Sequence, residues 1–205
     1  MKLSVLLAPS LIIISLWWIF QAVWSPGFVH TLARLSYRFT SSELDVSTAL
    51  LARDRALSYA TRGSNQAEDI YFTHDEIRHL VDVSALYKPF SFLLNSVSIF
   101  AWGVLILAIH RKEKLKSALG LASKVLLSFV MLSVASLLIF PIFFNVFHEV
   151  LFPQGNWAFP IDSMLIRVFP EIFWKLVLSA IVLMLFTWSG IFWLFGQYPY
   201  DRSKQ

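Results

Sequence analysis

The sequence contains no cysteine and little charge, and both absences exclude classes of protein. Without cysteine there is no disulfide scaffold, no thiolate nucleophile and no cysteine metal site. Charged residues make up only 15% of the 205 residues, whereas soluble domains contain about a quarter. The net charge of +4 is not gathered on a soluble face, so nothing indicates nucleic acid as a partner. A soluble nucleic-acid-binding protein and a cytosolic enzyme are therefore excluded.

What the sequence has instead is four long apolar runs with almost no ionisable residue. They cover residues 3–24, 91–109, 117–144 and 172–195. Each run is long enough to cross the hydrocarbon core of a bilayer as an α-helix, which needs about 20 residues. The sequence therefore predicts an all-α membrane protein, a single integral membrane domain over residues 1–205 with four transmembrane helices.

The basic residues indicate how these helices are oriented. The connection over residues 110–116 carries four cations and one anion. Lys2 precedes the first run, and Arg202 and Lys204 follow the last one. With four spans all of these charges lie on one side of the membrane, and the positive-inside rule places that side in the cytoplasm. We therefore expect both termini in the cytoplasm and the two longer connections on the outer face.

The first outward connection, residues 25–90, is predicted to form helices rather than strands. It holds seven Lys or Arg and eight Asp or Glu residues, so it is nearly neutral and far more polar than its surroundings. Apolar side chains recur in it at helical spacing. Arg62 followed by Gly63 is typical of a helix C-terminus, because glycine readily adopts the left-handed conformation that ends a helix. We expect an extracytoplasmic helical segment between the first two spans.

A further helix in this connection has both a predicted start and a predicted end. Thr73 and Glu76 have the spacing of a capping box, in which the two side chains bond each other's backbone N–H groups. Pro89 interrupts helical hydrogen bonding and disfavours helix at the residue before it. The helix is therefore predicted to end near Tyr87.

This helix carries the first candidate catalytic residue, His79. Its buried face is predicted to consist of Ile77, Leu80, Val81 and Ser84. Its opposite, charged face is predicted to consist of Asp75, Arg78, His79 and Asp82. Asp82 follows His79 by three positions, within reach along a helix surface, and a carboxylate there can fix the tautomer of the imidazole. A charged helix face is usually only solvated, so this pair alone does not define a site.

The second outward connection, residues 145–171, combines aromatic residues and prolines with a few ionisable groups. We expect an interfacial loop at the depth of the lipid headgroups, where polar groups are costly and are functional candidates by default. Asp162 is predicted to cap a short helix there. No such structural role explains His148, which follows the third run among phenylalanines. His148 is therefore the second candidate.

The familiar catalytic motifs are missing from the sequence. It has no Gly-x-Ser-x-Gly elbow, no His-Glu-x-x-His run and no glycine-rich phosphate loop. His79, Asp82 and His148 have the chemistry of a metal site, but two histidines and a carboxylate from unlinked segments are a common accident. We therefore expect no metal and no cofactor. The chemistry that remains is acid–base catalysis by imidazole on a lipid or lipid-linked substrate.

Three stretches of the sequence carry a resemblance to a known family. They are Phe72-x-x-x-Glu76-Ile77-x-His79-Leu80-x-Asp82-Val83, Phe147-His148-x-x-x-Phe152 and Asp162-x-x-Leu165-Ile166-x-x-Phe169-Pro170-Glu171-x-Phe173. Trp157 lies between the last two. In combination they resemble the bacterial lipoprotein intramolecular transacylase family, and the resemblance covers most of the chain. Leu80 stands where that family is expected to have methionine.

The resemblance implies an acyltransferase of the bacterial cytoplasmic membrane with its active site on the outer face. Such enzymes act on diacylated lipoproteins, whose N-terminal cysteine bears a diacylglyceryl thioether. They move the sn-2 acyl chain onto the α-amino group of that same cysteine, which gives a lyso-form lipoprotein. The implied partners are these lipoproteins and membrane lipids.

For this reaction we predict that His79, oriented by Asp82, is the general base that deprotonates the amine. His148 is predicted to polarise the ester carbonyl. The two roles can be exchanged. Trp157 is predicted to wall the site, and Arg167 to meet a carbonyl or phosphate. Two alternatives remain open at this point. One is an enzyme that acts on free phospholipid by acyl transfer or hydrolysis, and the other is a non-enzymatic four-span accessory or sensor protein.

Overall fold

The computed structural model of the protein describes residues 3–40, 45–63, 69–108 and 112–197. Within these ranges the chain forms eight α-helices and no strand, which confirms the predicted all-α fold. The helices are α1 (Leu3–Val23), α2 (Pro26–Tyr37), α3 (Val46–Arg62), α4 (His74–Ala108), α5 (Lys112–Leu138), α6 (Phe140–Leu151), α7 (Met164–Val168) and α8 (Glu171–Gln197). Lys2, Arg202, Lys204 and the first two residues of the basic connection lie outside the described ranges.

Four of the described helices are long and apolar enough to cross a bilayer. The candidate spans are Leu6–Val23, His74–Ala108, Lys114–Leu138 and Glu171–Gln197. The predicted number of spans is thus confirmed for the described part of the chain. The first and fourth spans agree with the predicted apolar runs to within a few residues. The helix that contains the second span begins earlier than predicted, and the helix that contains the third span ends earlier than predicted.

The helix of the second span begins earlier than predicted because it does not stop at Pro89. The helix that begins after the capping box was predicted to end near Tyr87, but α4 continues through Pro89 to Ala108. A proline inside a helix costs about 3 kcal/mol, because it removes one hydrogen bond and its ring crowds the carbonyl four residues earlier. The apolar run that follows can satisfy its backbone groups in lipid only as a helix, and this requirement outweighs the single lost bond.

The early end of the third span arises at Pro141. The run over 117–144 was predicted as one helix, but α5 ends at Leu138 and α6 begins at Phe140. Ile139 between them leaves the helical conformation, with φ −110° and ψ 34°. Pro141 then occupies the first turn of α6, where a missing N–H costs nothing. As a consequence His148 lies on a helix, and the irregular part of the second connection begins at Phe152 rather than at 145.

The chain divides into two compact units, and the first is held together by polar contacts between its helices. It consists of residues 1–22, 93–135 and 180–205. The hydroxyls of Ser123 on α5 and Ser189 on α8 each donate to the other's backbone carbonyl at 2.9 Å. Trp17 and Gln21 on α1 donate to the side-chain oxygen of Asn95 at 2.7 and 3.2 Å. Small and polar residues of this kind let apolar helices approach closely and fix their register.

The second compact unit contains every candidate site residue. It consists of residues 23–92 and 136–179. In its apolar core, α7 packs against α3 and against the first turns of α4. The core residues are Ala52, Ala56, Tyr59, Ala60, Phe72, Ile77, Leu80, Leu165 and Val168. Tyr37 on α2 adds a hydrogen bond from its hydroxyl to the backbone carbonyl of Val168 at 2.9 Å. These contacts hold the short helix α7 in place beside α4.

The predicted helix boundaries at Gly63 and Thr73 are confirmed. α3 ends at Arg62, and Gly63 follows with φ 71°, a value that favours glycine. A side chain there would also meet Ser84 and Lys88, because a Cβ atom would lie 3.3 Å from the Ser84 hydroxyl and 2.9 Å from the Lys88 ammonium. The capping box closes as expected, with the backbone N–H of Thr73 donating to the Glu76 carboxylate at 2.8 Å.

Candidate active site

The two predicted catalytic histidines lie next to each other in the second unit. His79 projects from the second turn of α4, and His148 from the last turn of α6. The centres of their rings are 6.2 Å apart, and the ring planes differ by 31°. The structure therefore brings together two residues that are far apart in the sequence.

His79 is buried rather than solvated, which corrects the predicted position of this side chain. Only 7% of the residue is exposed, because its ring packs against Phe152 at 4.8 Å and Phe159 at 5.7 Å. Of the predicted inner face of α4, Ile77, Leu80 and Ser84 are buried, and Val81 is partly buried against the same core. The outer face, however, is covered at His79 by the residues that follow α6. The helix is thus enclosed from two sides, and helical periodicity reports only the first.

His148 is surrounded by aromatic rings. Phe144 lies 4.1 Å from its ring centre, Trp157 at 5.1 Å, Phe147 at 5.4 Å and Phe152 at 5.8 Å. Its Nδ1 atom is 2.8 Å from the backbone carbonyl of Phe144. A carbonyl oxygen can only accept, so Nδ1 carries the hydrogen and Nε2 of the neutral ring carries the lone pair. The backbone of α6 therefore selects one tautomer of His148.

Burial also favours the neutral form of His148. Loss of water around the ring lowers the pKa of His148 below its ordinary value of 6.5, and the hydrogen bond to Phe144 opposes this shift only in part. At neutral pH the residue is thus an uncharged imidazole with a defined acceptor nitrogen, which is the form that a general base requires.

Asp82 makes contacts that differ from those predicted. It was expected to hydrogen-bond His79, but its carboxylate accepts the side-chain amide of Asn156 at 2.5 Å and that of Gln154 at 3.0 Å. Both amides belong to the loop that also supplies Trp157. Asp82 remains one helical turn from His79, so its charge is close to the imidazole while its hydrogen bonds hold the loop.

Glu76 precedes His79 on α4 by three residues and fixes the start of that helix to its neighbours. It is only 1% exposed, and one oxygen of its carboxylate accepts the backbone N–H of Leu165 on α7 at 2.7 Å. The other oxygen accepts the N–H and hydroxyl of Thr73 at 2.8 and 2.9 Å. The spacing predicted the capping box, but nothing in the sequence indicated the bond to α7. Glu76, His79 and Asp82 thus connect successive turns of α4 to three different parts of the unit.

The remaining predicted site residues differ in their placement. Trp157 packs on the ring of His148, with the ring centres 5.1 Å apart. Asp162 is exposed and does not cap α7, because the N-cap is the following residue, Ser163, whose hydroxyl accepts the N–H of Ile166. Arg167 is half-buried at the end of α7. Within the described residues, no side-chain hydrogen bond or ion pair joins Asp162 or Arg167 to either histidine.

Sequence reasoning missed Gln154 and Asn156, two amides in an irregular loop with no motif to mark them. The only available signal was their position among aromatic residues next to Trp157. As for metal binding, the described ranges contain no group of three or more His, Asp or Glu side chains placed to hold an ion.

Comparisons with known proteins agree on one relationship. Residues 3–174 match the family model of the lipoprotein intramolecular transacylase Lit. A search of curated proteins gave no match. Among solved structures, the chain resembles the membrane-integral lipoprotein intramolecular transacylase Lit from Bacillus cereus, with a TM-score of 0.78 and 18% sequence identity. That similarity covers 94% of this chain and 91% of the Bacillus protein, and it shows a shared fold.

Proposed function

Because this chain belongs to the lipoprotein intramolecular transacylase family, we propose that its two buried histidines catalyse the acyl transfer. The donor is the sn-2 ester of a diacylglyceryl cysteine at the N-terminus of a lipoprotein, and the acceptor is the α-amino group of that cysteine. The product is a lyso-form lipoprotein with one acyl chain on nitrogen. The observation that carries the proposal is the pair of imidazoles 6.2 Å apart in one aromatic enclosure.

An intramolecular reaction explains why so few catalytic groups are needed. The ester and the amine belong to one molecule, so holding it in a bent conformation gives a high effective concentration of the amine at the ester carbon. The amine can attack directly, and no covalent acyl-enzyme has to form. This is consistent with a chain that contains no cysteine and no Gly-x-Ser-x-Gly motif.

The proton transfers are assigned to His148, which exchanges the two roles predicted from sequence. Its Nδ1 hydrogen is engaged by the Phe144 carbonyl, so the lone pair of Nε2 is the one available for a proton. His148 takes a proton from the attacking nitrogen as the C–N bond forms. It returns that proton to the glycerol oxygen as the ester C–O bond breaks, so no net proton is gained or lost.

His79 is assigned to the ester carbonyl. A neutral imidazole always retains one N–H, and a donor aimed at the developing oxyanion is the usual way to stabilise a tetrahedral intermediate. Its burial against Phe152 and Phe159 strengthens such a hydrogen bond, because little water is present to compete. Arg167, at the end of α7, is proposed to meet a lipid carbonyl or phosphate. Asp162 is exposed and is given no role in the chemistry.

Mass spectrometry of a lipoprotein N-terminal peptide tests the function. Cells that lack other N-acylating enzymes would express the wild-type protein, His79→Ala or His148→Ala, with a reporter lipoprotein. Fragmentation separates the diacylglyceryl form from its N-acyl isomer. We expect conversion by the wild type and none by either variant. His74→Ala is the matched control, because His74 is exposed in the first turn of the same helix, and it should convert normally.

A second pair of variants tests the assignment of roles. Glutamine can donate a hydrogen bond to an oxyanion but cannot accept a proton at neutral pH. His79→Gln should therefore retain at least about tenfold more activity than His148→Gln, since oxyanion donors are replaceable and a base is not. The reverse order would restore the roles predicted from sequence. Activity in both alanine variants would show that the two histidines are not needed for the transfer, while the transacylase function would stand. An unmodified N-terminus with the wild type would move the function to a phospholipid-directed enzyme or an accessory protein.

The proposed location is the cytoplasmic membrane of a bacterium, with both termini inside and the histidines on the outer face. This orientation is supported by the basic connection between the second and third spans and by the positive-inside rule. It also suits the substrate, because a lipoprotein acquires its free α-amino group only after the signal peptide has been removed at the outer leaflet.

A further inference from the structure

Two polar atoms of the site are buried without a hydrogen-bond partner. They are Nδ1 of His79 and the side-chain oxygen of Asn156. Buried polar atoms are nearly always paired in folded proteins, so each exception calls for an explanation. Nδ1 belongs to a residue that is already assigned to the reaction. The oxygen of Asn156 belongs to a residue without an assigned role.

The orientation of the Asn156 amide follows from its partner. Its nitrogen lies 2.5 Å from the carboxylate of Asp82, which also accepts the amide of Gln154 at 3.0 Å. An ionised carboxylate can only accept hydrogen bonds, so the NH₂ end of Asn156 must face Asp82. The carbonyl end therefore points away from Asp82. It is an acceptor, and its complement is a group that donates a hydrogen bond.

Asn156 belongs to the loop that packs on both histidines. Its partner Asp82 is one turn along α4 from His79, and residues at this spacing are neighbours on a helix surface. The next residue, Trp157, packs on the ring of His148 at 5.1 Å. Phe159, two residues further on, packs on the ring of His79 at 5.7 Å. The loop that carries Asn156 therefore forms part of the wall around the two imidazoles.

We propose that the side-chain oxygen of Asn156 accepts a hydrogen bond from the α-amino group of the substrate. This inference rests on the proposed function, in which that amine attacks the ester. An amine that forms a C–N bond keeps its remaining hydrogens and gains positive charge until the base removes a proton. An acceptor fixed by Asp82 orients the nitrogen lone pair toward the ester carbon, and it binds more strongly as the charge develops.

Kinetics of purified variants on a synthetic lipopeptide with an N-terminal diacylglyceryl cysteine test this inference. Asn156→Leu removes the acceptor and the bond to Asp82, and its kcat should fall roughly 10- to 100-fold, the range for one hydrogen bond to a charged group. KM should change by less than about threefold, since the contact strengthens mainly in the transition state. The double variant Asp82→Asn/Asn156→Asp exchanges the two groups, so it keeps an amide–carboxylate hydrogen bond and an acceptor at position 156, and it should recover part of kcat.

Gln154→Leu is the matched control for weakening the loop. It removes the other hydrogen bond to Asp82 and leaves Asn156 in place, so kcat should stay within about threefold of wild type. Equal loss in Asn156→Leu and in the exchanged double variant, or normal kcat in Asn156→Leu, would overturn the inference. His79→Ala and His148→Ala, assayed alongside, keep the two proposals separate. If they are inactive while Asn156→Leu is normal, only the role of Asn156 fails.

Discussion

At the scale of single residues, the most informative contact is the hydrogen bond from His148 to the backbone of its own helix. Because Phe144 precedes His148 by one turn, α6 itself holds the ring in one tautomer. No carboxylate is needed to fix the tautomer of His148. Asp82, which was predicted to orient His79, instead holds the loop through Gln154 and Asn156. The His148 ring is thus oriented by the backbone of its own helix.

The lowered pKa of His148 gives stability a defined pH dependence. In the unfolded chain this residue takes up a proton near pH 6.5, whereas the folded protein resists it, because burial lowers the pKa. The unfolded state thus binds more protons as pH falls below about 6.5, and the folded state loses stability there. Above that pH both states are neutral at this residue, and its contribution is constant.

Thermal unfolding of the detergent-solubilised protein between pH 7.5 and 4.5 measures this effect. The Tm of the wild type should fall as the pH drops through and below about 6.5. The Tm of His148→Gln should fall less over the same range, because one of the resisting groups is gone. A wild-type Tm that rises on acidification, or an unchanged slope in His148→Gln, would contradict the assignment.

The sequence predicted which residues form the candidate site, but it did not predict what surrounds them. His79 and His148 were predicted from residue type, spacing and apolar context, and Trp157 with the family resemblance; the structure places the three side chains together. The amides that contact Asp82 were not found, because the bond from Asn156 to Asp82 spans more than seventy positions and depends on how an irregular loop packs. Residue types carry the chemistry, whereas long-range pairings depend on tertiary structure.

At the scale of helices and connections, two prolines with the same local signal have opposite outcomes. Pro89 lies within α4, which passes through it, whereas Pro141 lies in the first turn of α6, after a break at Ile139. Sequence reasoning expected a helix end at the first and continuity at the second. The free energy of one missing hydrogen bond is small compared with the packing and solvation of a whole helix, so the surroundings decide. Helix type was predictable here, but helix ends were not.

The stability of the contact between α4 and α7 should depend on the two carboxylate oxygens of Glu76. Glu76→Gln keeps the shape of the side chain but replaces one accepting oxygen with a donor. Either the N–H of Leu165 or the groups of Thr73 then lose their partner. An unpaired buried group costs about 1–3 kcal/mol, so Tm should fall by several degrees.

Differential scanning fluorimetry in detergent can compare this variant with Asp75→Asn. Asp75 is the exposed neighbour of Glu76 and pairs with Arg78 on the surface at 3.7 Å, a type of contact that contributes little. Its removal should leave Tm almost unchanged. If the two variants unfold at the same temperature, Glu76 does not hold α7.

At the scale of the whole molecule, the proposed orientation can be tested because the chain contains no cysteine. Introduced cysteines are then the only sites for a membrane-impermeant maleimide. Glu149 on α6 and Lys114 on α5 are both exposed in the structure. With both termini inside, Glu149→Cys should be labelled in intact protoplasts, and Lys114→Cys only after the membrane has been disrupted.

Labelling of the two variants in disrupted membranes is the control for reactivity, and each should react there. If intact cells labelled Lys114→Cys but not Glu149→Cys, the charges of the basic connection would not set the orientation, and the histidines would face the cytoplasm.

The aromatic rings around the histidines bear on which nucleophile receives the acyl group. Phe144, Phe152, Trp157 and Phe159 occupy volume beside the imidazoles that water would otherwise fill. An activated ester next to a base is consumed by whichever nucleophile is nearest, and in an open cleft that nucleophile is water. In a site lined with aromatic rings, the amine of the bound lipoprotein does not have to compete with bulk water for the ester. On the proposed mechanism, selectivity for transfer over cleavage is thus a property of the enclosure, separate from the histidines to which the chemistry is assigned.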